Sequence, residues 1–234
     1  MLWLANFGVP LWKDFLCQKD AIAQAFGCAL LQRDVCDIES KPMEALLSIC
    51  IGIGLSAACG FRVFVPLLIM SIAAKSGHLQ LAANFRWIGS DVALTAFAIA
   101  TALEIAAYYV PWLDNLLDSI ATPCAVIAGT IVTAAMVSNL SPFLRWSLAV
   151  IAGGGIAATV QGATVLTRGV STAGSAGFFN PIVATIELGG SFVTSMLAIW
   201  IPLAAFALVV LLVVLIATKF FPKMYRQLVK KSGS

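Results

Sequence analysis

From Met43 onward the chain alternates long apolar runs with short polar breaks, and the runs approach the roughly 20 residues that a helix needs to cross the hydrocarbon core of a bilayer. The first runs from Glu44 to about Ala74. Cys59-Gly60-Phe61-Arg62 and Pro66 interrupt it, which predicts either one broken helix or two short helices forming a hairpin. The second opens at Asp91, with Ser90 or Asp91 as N-cap, and stops at Pro111. The third covers about Ser119 to Val137. The fourth begins at Ser141-Pro142, a cap followed by proline at the first helical position, and reaches about Leu166. The fifth begins at Asn180-Pro181 by the same logic and ends near Trp200. The sixth, from Pro202 to about Phe221, has no polar side chain before Thr218 and reads as the most lipid-exposed. The pattern predicts an all-α fold: a polytopic transmembrane helical bundle of about six spans over residues 43–221.

Composition sharpens that picture. Hydrophobic residues make up 61% of the chain and charged residues 11%, against about 45–50% and about 25% in soluble domains. The mean hydropathy is +0.98, so the expected partner is the lipid bilayer. The net charge of +3 is small, and basic residues are not interleaved with aromatics, so nucleic acid is not an expected partner. Residues 1–42 are different: a polar or interfacial leader with four basic and five acidic residues and no run long enough to span, expected to lie outside the fold. Residues 222–234 form a basic tail. Lys219, Lys223, Arg226, Lys230 and Lys231 place the C-terminus in the cytoplasm by the positive-inside rule. The short loops carrying Lys75, Arg86 and Arg145 point the other way, but the tail has more charge.

The six cysteines form no CxxC pair and no zinc spacing, and His78 is the only histidine. No metal, cofactor or disulfide is therefore expected, and Cys50, Cys59 and Cys124 read as small hydrophobes. Without HExxH, GxSxG or a flanked histidine, no enzyme is expected.

Two carboxylates inside the apolar runs carry the functional signal. Glu104 lies in the second run and Glu187 in the fifth. Ionised groups at membrane depth are costly and face a protein interior or a water path, where they pair or carry protons. Arg62 and Arg168 are the available cations, each near an expected helix break. Pairs Arg62–Glu104 and Arg168–Glu187, or pairs with swapped partners, are expected to line a central polar cavity. Such pairs serve either to fix helix register or to couple protons or contact substrate; Glu104 has the further option of snorkelling to Tyr108 and Tyr109. The segment TRGVSTAGSAGFFNP (167–181) ends in a helix start at Asn180, whose free N–H groups, with Arg168 nearby, suit an anion such as a phosphate or carboxylate, unless it is an ordinary loop. Small residues recur at Gly52, Ser56 and Gly60; at Ala121, Ala125, Gly129 and Thr133; and at Gly154, Ala158 and Gly162, beside Gly153 and Gly155. These faces suit close helix packing, and oligomerisation through them is an expectation too. GIGLSAA at 52–58 aligns with GGGIAAT at 153–159, and ATALEI at 100–105 with VATIEL at 183–188. This raises an inverted three-plus-three repeat of the kind found in secondary transporters.

The runs GIGLSAACGFRVFVPLL (52–68), FRWIGSD (85–91) and STAGSAGFFNPIVATIELGGS (171–191) resemble the family catalogued as domain of unknown function 4126, small bacterial integral membrane proteins. The likeness covers about 43 to 221. It implies that Arg62, Asn180, Pro181 and Glu187 occupy family-motif positions, and it implies no substrate. The combined expectation is a small secondary transporter or flippase of the bacterial cytoplasmic membrane. Arg62, Glu104, Arg168, Asn180 and Glu187 are the candidate contacts for a coupling ion or for a small anionic or lipid-linked substrate. The alternative is a non-transporting scaffold or assembly factor.

Overall fold

A computed structural model describes residues 29–107, 111–138, 140–175 and 179–220, with side chains described from Met43 onward except at 108–119, 139, 173, 175–178 and past 218. Most of the leader, Tyr108, Tyr109 and the basic tail from Phe221, with the expectations attached to them, lie outside the described residues. The chain divides into two units, Met1–Leu46 and Leu47–Ser234, and the four charges singled out in the sequence all belong to the second. Every regular element among the described residues is helical.

The helices are α1 (Ala29–Phe61), α2 (Phe64–Lys75), α3 (Asp91–Ala107), α4 (Pro111–Met136), α5 (Pro142–Leu148), α6 (Gly155–Ser175), α7 (Asn180–Trp200) and α8 (Pro202–Leu215). A 3₁₀ turn (Ala83–Gly89) precedes α3, a π turn (Ala149–Gly154) joins α5 to α6, and another (Ile216–Phe220) follows α8. Sequence punctuation accounts for most of these starts. Pro142, Pro181 and Pro202 sit in first turns, where their missing N–H is no loss. Ser90 caps α3, its hydroxyl accepting the Ala93 N–H at 3.2 Å. Three boundaries differ from expectation. α1 begins at Ala29, inside the segment read as leader. α4 begins at Pro111, which opens a helix as well as closing the run before it. The segment from Thr167 to Ser175, read as the start of a loop, is the end of α6.

Among the described residues, three apolar helices are long enough to cross a membrane: Met43–Phe61, Pro142–Thr172 and Asn180–Trp200. The 3₁₀ turn and α3, bent by 61° to one another, make a fourth if counted as one span, and Phe64–Lys75, Ile120–Met136 and Pro202–Thr218 are shorter apolar helices. α8 buries only Pro202, Ala205 and Val209, a single stripe, in keeping with a lipid-facing position.

The first apolar run is a hairpin. The Thr133 hydroxyl donates to the Gly52 carbonyl at 3.2 Å, and two residues further along α4 the Ala135 carbonyl accepts the Ala82 N–H at 2.8 Å. Residues near 50 and 82 therefore lie at one level. A helix rises about 1.5 Å per residue, so Arg62 lies roughly 18 Å from that level. Had α2 continued in the direction of α1, its end would lie roughly twice as far away, and the few residues from Leu79 to Ala82 could not return the chain. α2 must fold back. α3 then returns alongside it: Lys75 pairs with Asp91 at one end, and Glu104 bonds Val63 and Phe64 at the other. The tip of the hairpin, Arg62-Val63, is thus about half a bilayer's hydrocarbon thickness from the loop level.

Small residues bring α1, α4 and α6 together. The Ser56 hydroxyl donates to the Gly153 carbonyl. A Cβ on Gly60 would lie 2.6 Å from the Val160 Cβ and 2.8 Å from the Ala157 carbonyl oxygen, so the backbones meet where only hydrogen fits. The contact face is Gly153 of the π turn with Ala157 and Val160 of α6, whereas Gly162, expected at the contact, has open space beside it; the π turn before α6 shifts the register of its faces. Because Ser56 meets Gly153 and Gly60 meets Ala157, α1 and α6 run in the same direction, whereas an inverted repeat would oppose them. The fold-back of α2 is the reason, since it adds one reversal of direction between the two glycine segments.

Candidate functional site

Four charged side chains are buried together at the hairpin tip: Arg62 is 2% exposed, Arg168 4%, Glu187 5% and Glu104 7%. Among the described residues the two arginines and two glutamates balance in charge, which favours burial of ions in a low-dielectric interior. The cluster joins the α1–α2 hairpin, α3, α6 and α7. Glu187 is seven residues past the start of the 21-residue α7, hence roughly 4–5 Å from that helix's midpoint. The site is deep in the membrane by both measures, that of α7 and that of the hairpin.

Arg168 and Glu187 form the tightest pair. The Arg168 Nε donates to Glu187 Oε1 at 3.2 Å and its Nη2 to Oε2, a two-pronged geometry that a guanidinium and a carboxylate favour. Arg62 approaches the same carboxylate, its Nη2 3.7 Å from Glu187 Oε2, and also donates to the Ala184 carbonyl at 2.7 Å. Glu187 is thereby held between two cations. The expected pair Arg168–Glu187 forms, while Arg62 turns to the other glutamate.

Glu104 does something different. Its Oε1 accepts the Val63 N–H at 3.0 Å and its Oε2 the Phe64 N–H at 3.2 Å. Val63 and Phe64 open α2, and no side chain of α2's own N-cap bonds there. The first N–H groups of a helix lack intrahelical partners and carry partial positive charge; a carboxylate from forty residues away satisfies them. Arg62 and Arg168 both act electrostatically on Glu104, and Glu104 on the buried Cys59. One turn before Glu104, Thr101 is 8% exposed and its hydroxyl has no hydrogen-bond partner. Side chains three apart share a helix face, so Thr101 and Glu104 lie on the same side of α3.

Asn180 is not brought into this cluster. It lies two turns before Glu187 at the start of α7, where its amide donates to the Thr172 hydroxyl at 3.1 Å. Arg168, expected to serve an anion at that helix start, is turned to Glu187 instead. Cys50, Cys59 and Cys124 are free thiols.

The sequence matches the family described as Domain of unknown function (DUF4126) over residues 49–220. The chain belongs to this family. The matched region of DUF4126 contains all four charges of the cluster, the hairpin tip and Thr101. No curated protein and no solved structure matches the chain.

Sequence reasoning found the four charges but missed the N–H groups of Val63 and Phe64 and the hydroxyl of Thr101. Backbone groups leave no residue-type signature. Pro66 was the available signal: a proline in the first turn of a helix marks a start, so a new helix begins just before it.

Proposed function

We propose that this protein is a small secondary transporter or flippase of the bacterial cytoplasmic membrane, with its C-terminus in the cytoplasm, and that the buried cluster of Arg62, Glu104, Arg168 and Glu187 is its coupling site. The observation that carries this reading is the hairpin tip. A discontinuous helix ends deep in the apolar region and presents a half-helix N-terminus to an ionisable side chain. Transporters use such broken helices at their binding sites. A passive bundle can fix its register with apolar packing and has no need to bury four charges. The two glutamates divide the work. Glu187, between two guanidiniums, holds the arginines in place. Glu104, bound through backbone N–H groups, is the carboxylate that a proton can release.

Transport requires the site to open to each side of the membrane in turn. The test uses Cys59, buried beside Glu104, as the reporter in a chain whose other five cysteines are serine. In right-side-out and inside-out vesicles, a charged thiol reagent that cannot cross lipid should modify Cys59 from both faces. A Cys59 closed to both faces would remove the transport reading.

The second reading, a scaffold, is favoured by α6. Gly155, Gly162 and Gly169 recur every seven residues along it and have nothing within 4 Å, which leaves a shallow groove where a helix of a second copy fits. Crosslinking through cysteines placed along that groove tests it.

A further inference from the structure

We propose that the seam between α6 and α7 is the path by which solutes enter the charge cluster from the side of Lys75 and Asp91; that Gln161 and Thr194 contact the solute there; and that the path admits small water-soluble solutes that hydrogen-bond and excludes lipid-linked ones. The proposal deepens the transporter reading and rests on it for the solute's onward movement, but not for the path itself.

Two contacts fix how these helices face each other. The Asn180 amide meets the Thr172 hydroxyl and Glu187 meets Arg168, so α6 and α7 run antiparallel. Going back along α6 from Arg168 and forward along α7 from Glu187 leads the same way. One turn on, Thr164 and Ser191 come level. Two turns on, Gln161 and Thr194 do, roughly 10 Å from the ion pair. At about 100° per residue, Thr164 and Gln161 lie within about 40° of Arg168 around α6, and Ser191 and Thr194 within about 40° of Glu187 around α7. Both polar stripes therefore face the way that the joined Arg168 and Glu187 do. Exposure is 8% at Thr164, 4% at Gln161, 0% at Ser191 and 7% at Thr194.

The polar groups nearest the cluster are bonded. The Thr164 hydroxyl donates to the Gln161 carbonyl at 2.9 Å, and the Ser191 hydroxyl to the Ala58 carbonyl of α1 at 3.0 Å. The Gln161 amide and the Thr194 hydroxyl, level with each other, have no hydrogen-bond partner among the described residues. Buried polar groups left unpaired are costly, and a solute passing between α6 and α7 supplies partners to both. One turn further, Ala157 and Ala198 take over, each 0% exposed, and each presses on a glycine of α1. A Cβ on Gly60 would lie 2.8 Å from the Ala157 carbonyl oxygen, and one on Gly54 2.7 Å from the Ala198 Cβ. Gly54 is two residues from Gly52, at the level of Ala82, so α1 closes the path on the loop side in this structure. The polar walls are hydroxyls and one amide, all more than nine-tenths buried. They offer hydrogen bonds to a solute and no face to lipid, and a lipid-linked solute needs such a face for its chains.

The test is thiol labelling of the full-length protein in right-side-out and inside-out vesicles, with the native cysteines replaced by serine. Thr194→Cys and Gln161→Cys give one reporter on each helix, and either alone suffices if the other disturbs folding. Val193→Cys, next to Thr194 and 59% exposed, is the lipid-facing control. A small charged thiol reagent applied from the Lys75–Asp91 face should modify the reporters about a hundredfold faster than the control, the penalty for a charge in hydrocarbon. From the opposite face the reporters should react slowly, because the Arg168–Glu187 pair stands between. A long-chain alkyl maleimide delivered through lipid should reverse the order and favour the control. Adding Gly54→Ala, whose methyl forces α1 off Ala198, should raise the reporter rate from the Lys75–Asp91 face alone. Charged-reagent rates no greater than the control's, or equal from both faces, overturn the path. Equal reaction of reporters and control with the alkyl maleimide overturns the exclusion of lipid-linked solutes, and no response to Gly54→Ala overturns the closure by α1. The two readings fail separately. Cys59 open to both faces with both reporters unlabelled would keep transport and remove this path; labelled reporters with Cys59 sealed from both faces would do the reverse.

Discussion

The carboxylate of Glu104 accepts the backbone N–H groups of Val63 and Phe64, 41 and 40 residues earlier in the chain. A side chain of α3 thus provides the cap that α2 lacks, and the same contact ties the hairpin tip to the charge cluster. Removing it has a structural consequence separate from any transport. In Glu104→Ala both N–H groups lose their acceptor and the two arginines face one glutamate. Loss of a cap costs about 0.5–2 kcal/mol, and the unbalanced charge adds to that. Thermal melting in detergent should rank the Glu104→Ala protein as the least stable and the wild type as the most stable. Glu104→Gln, which keeps one acceptor oxygen, should fall in between. Equal melting temperatures for all three would mean that the cap contributes nothing.

Glu187 stands between Arg168 and Arg62, so the pair cannot be removed cleanly from one side. Glu187→Gln should destabilise the protein by about 3–5 kcal/mol, the range for orphaning a buried ion. Adding Arg168→Gln should recover part of this and not all, because Arg62 remains without its carboxylate partner. The reading is a double-mutant cycle in denaturant or heat. Strictly additive losses would show that Arg168 and Glu187 do not act as a pair.

The glycine contacts give a sharper contrast. Gly60→Ala places a methyl group 2.6 Å from the Val160 Cβ and against the Ala157 carbonyl, and α1 and α6 must separate. Overpacking of this kind costs about 1–3 kcal/mol. Gly162→Ala, with open space around it, should be neutral or slightly stabilising, since alanine is the better helix former. If both substitutions behave alike in melting, the close approach of α1 and α6 is not what holds these helices together.

These contrasts also mark how far the sequence could be read. The apolar runs located every α-helix from Met43 on, though not the 3₁₀ turn Ala83–Gly89 or the last turns of α6, because a run of side chains without charge becomes helical in lipid. Proline and serine marked the starts of α3, α5, α7 and α8, because their effect is local. Arg168 and Glu187 were legible as partners, since each is costly alone. What the sequence hid was direction. Whether the run through Arg62 and Pro66 continues or folds back depends on where Ala82 meets Ala135 of α4, a contact across about fifty residues of chain. With that direction hidden, so were the α2 N-terminus, its capture of Glu104 and the parallel course of α1 and α6. The choice of glycine face on α6 was hidden as well, because the π turn that sets its register leaves no distinct composition.

The fold-back itself makes the last prediction. If α1 and α2 form a hairpin with its tip deep in the membrane, Leu47 near the start of the second unit and His78 after α2 lie on the same side. If the run were one broken span, they would lie on opposite sides. The distance argument favours the first: Gly52 and Ala82 are bonded to residues two apart on α4, and the chain between them makes one excursion of roughly 15 Å beyond Gly52 and returns. Single cysteines at Leu47 and His78, in a background with the native cysteines replaced by serine, should both react with a charged thiol reagent in vesicles of one orientation and both be protected in the other. A third at Arg62 should react slowly from either side, as expected of a position near the bilayer centre. Labelling of the Leu47 and His78 positions from opposite sides would make the run a single crossing. It would also move the N-terminus of α2 away from Glu104 and dissolve the site built on it.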